Sequence, residues 1–410
     1  MAATLLSVNN YYYARGGAEV VFFRHNGMLH DAGWSVVPFA MNHRMNVGGA
    51  ERAEFVSELE YGGESDGVVA KVRKGLKAIY SFEARSKLAR IIDRSSPDLC
   101  HAHNVYHHLS PSILGLVHRR GIPLVMTLHD LKIACPAYSM LTHDGICERC
   151  TDGRLYQVVQ HRCMKGSLAL SALVMLESYV HRMLGSYLGN VDKFLVPSRF
   201  YLRKLREWGF PADRFEYVPN FVATESFTPN FEPGARFVFF GRLSPEKGIA
   251  TLIRAAAAAR VGLDVIGTGP AKDELRKLAA GQDVRFLGFL SGAKLNAAVA
   301  SARAVVAPSE WYENAPLAVL EAAALGKPLI VARIGGLPEL IVEGESGWSF
   351  QPRSVVGLAA CLRRIADLPD HEVAAAGMAA RRRMQDDFSP QRYLEGIRAV
   401  YGRLGVAWPP

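Results

Sequence analysis

The sequence predicts an α/β protein of two doubly wound, Rossmann-like domains that face each other across a cleft. Three observations carry that prediction. The chain has 410 residues, more than one ordinary core accommodates. Short apolar runs alternate with helical patterns in both halves, the signature of parallel sheets. Between residues 221 and 233 the alternation lapses into Pro, Thr, Glu and Asn, which reads as a linker.

In the first half, Thr4 to Asn9 reads as a strand that breaks at Arg15-Gly16-Gly17, and AEVVFFRHNGMLHDAG follows as a helix closing at Gly33. WSVVPFAM is the next strand, completing one βαβ unit. Asp98 to His101, Pro123 to Leu128 and Lys193 to Val196 are further strands, each ending in His, Asp, Pro or Ser. Polar residues at the carboxyl ends of parallel strands are where open α/β sheets bind ligands.

In the second half, ARFVFFGRL, GLDVIGTG, DVRFLGFL, AVVAPSE and KPLIVARIGG read as strands. The helices between them are GIATLIRAAAAAR, KDELRKLAAG, AKLNAAVASA and APLAVLEAAALG, and two helical stretches close the chain. The expected division is 1–222, with a cysteine-rich insert around 135–163; 234–392; and a C-terminal helix and tail over 393–410, the helix packing back on the first domain.

Composition narrows the function classes. Apolar residues make up 49% and charged residues 21%, the balance of a folded globular chain. No run of eighteen apolar residues and no basic leader ahead of an apolar core suggest a membrane span or signal peptide. A cytoplasmic location follows as the expectation, and six cysteines are too few for a disulfide scaffold. A net charge of +9 favours polyanionic partners: phosphorylated substrates or anionic lipid headgroups at the inner face of the membrane. No nucleic-acid-binding signature accompanies it.

The chemistry concentrates after the linker. In Phe240-Gly241-Arg242-Leu243-Ser244-Pro245-Glu246-Lys247-Gly248 a strand ends in Gly, and two cations follow five residues apart at a helix start. Guanidinium, ammonium and free N–H groups together suit a diphosphate; two surface cations on a solvated turn are the bland alternative. Glu313 and Glu321 follow. Pro316 suits a first helical turn, placing Glu313 in a loop and Glu321 within a helix. The flanks of Glu321, Leu320 and Ala322 to Ala324, predict a largely buried carboxylate, costly without a partner or ligand. The paired glycines Gly335-Gly336 and Gly16-Gly17 let a backbone approach a ligand closely, although most diglycines are simple turns.

In this order, Arg242, Lys247, the Glu313/Glu321 pair and the second diglycine resemble the retaining glycosyltransferases of family 4, which have the GT-B fold. The resemblance covers nearly the whole chain and is densest from Phe237 to Phe350. It implies transfer of a sugar from a UDP- or GDP-sugar to a hydroxyl acceptor, without a metal in the transfer step. Arg242 and Lys247, beside Gly241, would neutralise the leaving diphosphate. Glu313 would hold hydroxyls of the transferred sugar, Asn314 and Leu317 would offer backbone contacts, and Glu321 would bind the ribose. Gly16 and Gly17 match the first-domain loop at the phosphate, and His129 matches the strand-end histidine beside the donor sugar. Gly267 and Phe289 fall at backbone positions near the base. Family habit makes the acceptor a glycan or lipid-linked glycan of cell-surface polysaccharide synthesis.

His101, His103, His107 and His108 are expected to line the acceptor side. Cys135, Cys147, Cys150 and Cys163 form a separate cluster whose C-x2-C pair has zinc-chelating spacing; four thiolates complete a closed, structural site. Incidental thiols in a surface loop are the alternative. Cys100 and Cys361 sit in apolar runs, as core residues do.

Three rivals stand beside this reading. A dinucleotide-dependent oxidoreductase is suggested by Gly267-Thr268-Gly269-Pro270, but a third glycine and an acidic residue ending the next strand are missing. A sugar-nucleotide epimerase or hydrolase would share the fold. A non-catalytic nucleotide-sugar-binding protein would share the site. No G-x4-G-K-[ST] occurs, which excludes a P-loop kinase.

Overall fold

The computed structural model describes residues 3–48, 53–58, 68–142 and 144–409. It contains two six-stranded, wholly parallel sheets. The first comprises β1 (Thr4–Val8), β2 (Ser35–Phe39), β3 (Leu99–Ala102), β4 (Leu124–Thr127), β7 (Lys193–Val196) and β8 (Phe215–Tyr217), in the order β2-β1-β3-β4-β7-β8. A two-stranded hairpin, β5 (Leu141–Thr142) with β6 (Gly145–Ile146), stands outside it. The second sheet comprises β9 (Phe237–Phe240), β10 (Leu263–Ile266), β11 (Val284–Gly288), β12 (Val305–Ala307), β13 (Leu329–Ala332) and β14 (Gly347–Phe350), in the order β11-β10-β9-β12-β13-β14.

The central strands are buried along their whole length, as LCHA of β3 and LIVA of β13 show. A parallel sheet covered by helices on both faces has no solvent side to alternate toward. That explains why these strands read as unbroken apolar runs. In both sheets the strand order reverses beside the first strand, and the carboxyl ends at that switch point feed the loops described below.

The two halves are tied by the chain's end as well as by the linker. Helix Pro390–Arg403 returns to the first sheet, as expected, and buries Tyr393, Ile397, Val400 and Tyr401 against Leu5, Leu99, Val125 and Leu195. The linker region is less free than its composition suggests: Phe221 and Val222 are buried, and the Val222 N–H donates to the Phe388 carbonyl at 2.9 Å. Four strands were not read from the sequence: β5 and β6 of the hairpin, and β8 and β14 of the two large sheets. β8 is three residues long, and β14 (Gly-Trp-Ser-Phe) has no β-branched residue.

Candidate functional site

A cleft of about 780 Å³ opens between the halves at the carboxyl ends of β9, β10 and β12, a size suited to a small-molecule ligand. From the first half it is lined by Arg15, Gly16 and Gly17; from the second, by Gly241, Arg242, Lys247, Gly267, Phe289 and Glu313, among others. Eight of the residues singled out from the sequence therefore meet on one surface.

Two helices aim their N-termini at this cleft from opposite sides. Helix Gly17–Asp31 starts after Gly16, and helix Leu317–Ala324 starts after Pro316, which is the cap residue and not part of the first turn. Neither has a side-chain cap. In the first helix the Glu19 carboxylate accepts from its own N–H and from that of Gly16. The remaining first-turn N–H groups of both helices have no N-cap side chain before them, the arrangement that receives anions. Leu317 stands where the halves meet: its Cδ1 is 4.0 Å from where a Cβ on Gly17 would lie.

The charges fit the same ligand class. Among the described residues, Arg15, Arg242 and Lys247 are the cations on the cleft wall, and Glu313 is its one carboxylate. Arg242 is exposed and makes no ion pair among the described residues. Lys247 Nζ lies 2.6 Å from Glu313 Oε1 and over the Trp311 ring at 5.3 Å from its centroid. Glu313 is buried, and Ser309 Oγ donates to it at 2.6 Å. Burial pushes the Glu313 carboxyl up, but the Lys247 charge and hydrogen bond outweigh it and hold the group below the usual carboxylate range.

The glycines serve the loops before they serve any ligand. Gly335 has φ +61°, and a Cβ there would meet the Glu313 carbonyl oxygen at 2.2 Å; one on Gly336 would meet the Asn314 carbonyl oxygen at 2.0 Å. The second diglycine is therefore the floor under the Glu313–Asn314 turn, not a backbone approach to ligand. Gly267, with φ +134°, is held by the same logic, since its Cβ would lie 1.9 Å from the Gly241 carbonyl oxygen.

Four of the expected residues stand away from the cleft wall or have partners of their own. Asn314 Nδ2 donates across the halves to the Leu128 carbonyl at 3.0 Å, next to His129. Leu317 is buried at the helix start. Glu321 is not the buried, partnerless carboxylate expected from its flanks. Its side chain is 23% exposed and pairs at 2.9 Å with Arg24 of helix Gly17–Asp31, because its helix turns that edge toward the other half.

His129 is half-buried at the end of β4, and burial pushes its imidazole down to about 4, so it is neutral near pH 7. Its Nε2 lies 2.9 Å from His103 Nδ1, and His103 stacks in turn on His101 with ring centroids 4.8 Å apart. His101 and His103 are fully buried, which corrects the expectation that they line an acceptor surface. They fill the space between the strand ends and the returning C-terminal helix, where Tyr401 Oη lies 2.7 Å from His101 Nδ1. His107 lies 3.5 Å from the buried Glu177, and His108 Nε2 lies 3.0 Å from Tyr11 Oη.

Sequence reasoning missed Arg15 and Ser309. Arg15 stands directly before the first diglycine, and Ser309 lies four residues before Glu313 in a strand-end loop; position relative to those landmarks was the available signal.

Residues 15–226 match the model for glycosyltransferase family 4, and residues 234–367 match that for glycosyl transferases group 1. A glycogen synthase of Mycobacterium tuberculosis is 30% identical over 321 residues, covering 75% of this chain and 70% of the relative. A sulfoquinovosyl transferase of Arabidopsis thaliana is 36% identical over 188 residues, 43% of this chain and 36% of that one. Among solved structures, the sucrose-phosphate synthase of Thermosynechococcus elongatus superposes with a TM-score of 0.72 at 20% identity, covering 98% of this chain and 99% of that one. HepE of Anabaena, in complex with UDP and glucose, gives 0.64 at 17% identity over 98% and 99%. At these identities the structural matches speak for the GT-B fold alone.

Proposed function

The chain belongs to glycosyltransferase family 4, and from that premise we propose that it is a retaining hexosyltransferase taking its sugar from a UDP- or GDP-sugar. The carrying observation is the cleft itself: Arg242, Lys247 and two helix N-termini that lack an N-cap side chain converge on one space, with Glu313 fixed at its wall. Departure of a nucleoside diphosphate builds negative charge on phosphate oxygens, and fixed cations and amide dipoles stabilise it without reorganising. Arg242 and Lys247 meet that charge, with Arg15 facing them from the first half.

The buried Glu313 carboxylate, ionised and pinned by Lys247 and Ser309, accepts hydroxyls of the transferred sugar. Asn314 and Leu317 contribute backbone on the same turn. Gly241 and Gly267 line the nucleotide side, and Phe289, 72% exposed, offers the base a ring edge and backbone at the rim. Glu321 turns to the ribose through exchange of its Arg24 partner, and His129 stands at the first-half strand end beside the sugar.

For the acceptor we propose a glycan or lipid-linked glycan, reached at the cytoplasmic face of an anionic membrane. None of the described helices is long and apolar enough to cross a membrane. Helix Leu168–Met183 instead presents Leu168, Leu176, Tyr179 and Met183 to solvent in one stripe, with the exposed cations Arg162, Lys165 and Arg182 nearby. Such a face suits binding in the plane of a bilayer surface.

A thermal-shift screen against nucleoside diphosphates and their sugars tests the donor assignment, because a ligand that binds the folded state raises its melting temperature. A shift with uridine or guanosine diphosphate that disappears in Arg242→Ala is expected. No shift with any nucleotide would overturn it.

A further inference from the structure

The four cysteines of the 135–163 segment lie outside the transfer chemistry, yet the fold gathers them. Cys135, Cys147, Cys150 and Cys163 all line one small cavity, closed also by Met140 and Val158. The segment has little regular structure to hold it there: the β5–β6 hairpin and one turn of helix, Gln157–Gln160. We propose that this cavity is a structural metal site, in which four thiolates bind one zinc-class ion and clip the segment closed.

Backbone geometry supports the assignment independently of cysteine spacing. Tyr138 and Met140 both take left-handed φ, +54° and +50°, which bends the chain after Cys135 into a knuckle. The N–H groups of Ala137 and Met140 then point at the Cys135 sulfur, and that of Val158 points at Cys150. Burial outweighs these donors and keeps both thiols above their ordinary range; amides placed in this way form the outer shell that supports metal-bound sulfur. The β5–β6 hairpin then delivers Cys147 and Cys150, with the Cys147 N–H returning to the Met140 carbonyl at 2.9 Å.

No three of these sulfurs lie within 4.8 Å of one another. Among the described residues only the group of His25, His101 and His103 meets that spacing. Those imidazoles are already engaged by Tyr393, Tyr401, Thr127 and His129. Metal entry therefore draws the four thiols inward across their own cavity. Four sulfur ligands select zinc or iron and leave no open position, so the ion is a clip and not a catalyst.

The clip has a mechanical consequence at the cleft. Glu148 sits between Cys147 and Cys150, and its carboxylate accepts from Tyr312 Oη at 2.6 Å, with Lys204 Nζ at 2.9 Å and Trp208 Nε1 at 3.2 Å. Tyr312 is the residue before Glu313. Nearby, Arg353 donates to the Asp144 carbonyl at 3.3 Å. The ion thus holds one wall of the first half against the loop that carries Glu313. Only this link to the donor loop rests on the function proposed above; the metal site does not.

The test is metal analysis of the full chain purified under reducing, zinc-supplemented conditions. About one equivalent of zinc or iron per chain is expected in the wild type and in Cys100→Ser, and its loss in Cys147→Ser. Because Cys147→Ser can fail to fold, cobalt(II) is also titrated into metal-stripped wild type. Intense thiolate-to-cobalt absorption saturating at about one equivalent is expected. Less than about a tenth of an equivalent of metal with no such absorption, or disulfides among these cysteines in the reduced protein, overturns the site. Amide exchange over residues 310–316 reads the link without any activity assay. Faster exchange on metal removal is expected, and exchange unchanged while metal is lost overturns the link alone.

Discussion

Lys247 Nζ and Glu313 Oε1 lie 2.6 Å apart, so the cation after β9 and the carboxylate after β12 are one unit on the cleft wall. Arg242, five residues earlier, is exposed and free of ion pairs among the described residues. Replacing either cation by Ala should cost roughly 10²–10³ in turnover. Their effects on stability should differ. Arg242→Ala should unfold at the wild-type denaturant midpoint. Lys247→Ala leaves a buried carboxylate unpaired, costing on the order of 2–3 kcal/mol, less than for a fully buried pair because Lys247 is partly exposed. Wild-type turnover in Arg242→Ala would sink the assignment of the diphosphate site.

The floor under Glu313 makes a second prediction. At Gly335, Ala is strained by the left-handed φ and would place its Cβ 2.2 Å from the Glu313 carbonyl oxygen. Backbone cannot yield as a flexible side chain does, so the Glu313 turn must move. Gly335→Ala should lower the melting temperature and abolish most turnover, because displacing a positioned group by about 1 Å can cost about 10² in rate. Gly281→Ala provides the control: its φ is also positive, at +74°, but nothing stands within 4 Å of its Cβ. It should lose some stability and keep its activity.

How far the sequence carried this reading varied with the physics. The α/β class was legible because parallel strands buried on both faces are unbroken apolar runs, as FVFF and LIVA show. The place of Arg242 and Lys247 on the cleft wall was legible because a strand-end glycine and a helix start flank them. The buried histidines misled because composition gives no hint of what covers a strand end: here the cover is Tyr401, three hundred residues away from His101. Glu321 misled for a related reason. Its alanine flanks report the local helix environment, while the partner Arg24 comes from the other half of the chain.

The histidine stack predicts acid sensitivity. Burial pushes His25 down to about 3 and His129 to about 4, from an ordinary value near 6.5. The unfolded chain therefore binds protons that the folded chain refuses. The stability these neutral rings contribute is whole above about pH 6.5 and is lost as pH falls toward 3–4. Urea midpoints measured between pH 8 and pH 4 should fall with decreasing pH. In His25→Gln, which can keep a bond to Tyr393 Oη, the midpoint should start lower and fall less steeply. An unchanged slope would show that the acid loss arises in other groups.

The Arg24–Glu321 pair allows binding and packing roles to be separated. Both side chains are partly exposed, so the pair itself should stabilise the fold by no more than about 1 kcal/mol. If Glu321 also holds the ribose, Glu321→Ala should raise the donor KM about tenfold or more, since hydrogen bonds to a charged group contribute about 1.5–3 kcal/mol. Arg24→Ala should leave that KM near wild type or lower it, by freeing the carboxylate. Equal KM changes in the two variants would mean that Glu321 acts only by bracing the two halves.

The exposed stripe of helix Leu168–Met183 gives the last prediction. Leu168, Leu176, Tyr179 and Met183 are spaced eight, three and four residues apart, which keeps them on one helical face. They are 55%, 50%, 38% and 81% exposed, a contiguous apolar face of the kind that marks an interaction surface. The net charge of +9 adds long-range attraction to anionic lipid. Co-sedimentation with anionic vesicles should be strong at low salt and weaken as the Debye length shrinks from about 30 Å at 0.01 M to about 8 Å at 0.15 M. Leu176→Glu with Met183→Glu should abolish it while sparing transfer to a short soluble acceptor, because neither residue lines the cleft. Binding that persists in this variant would move the membrane contact elsewhere on the basic surface.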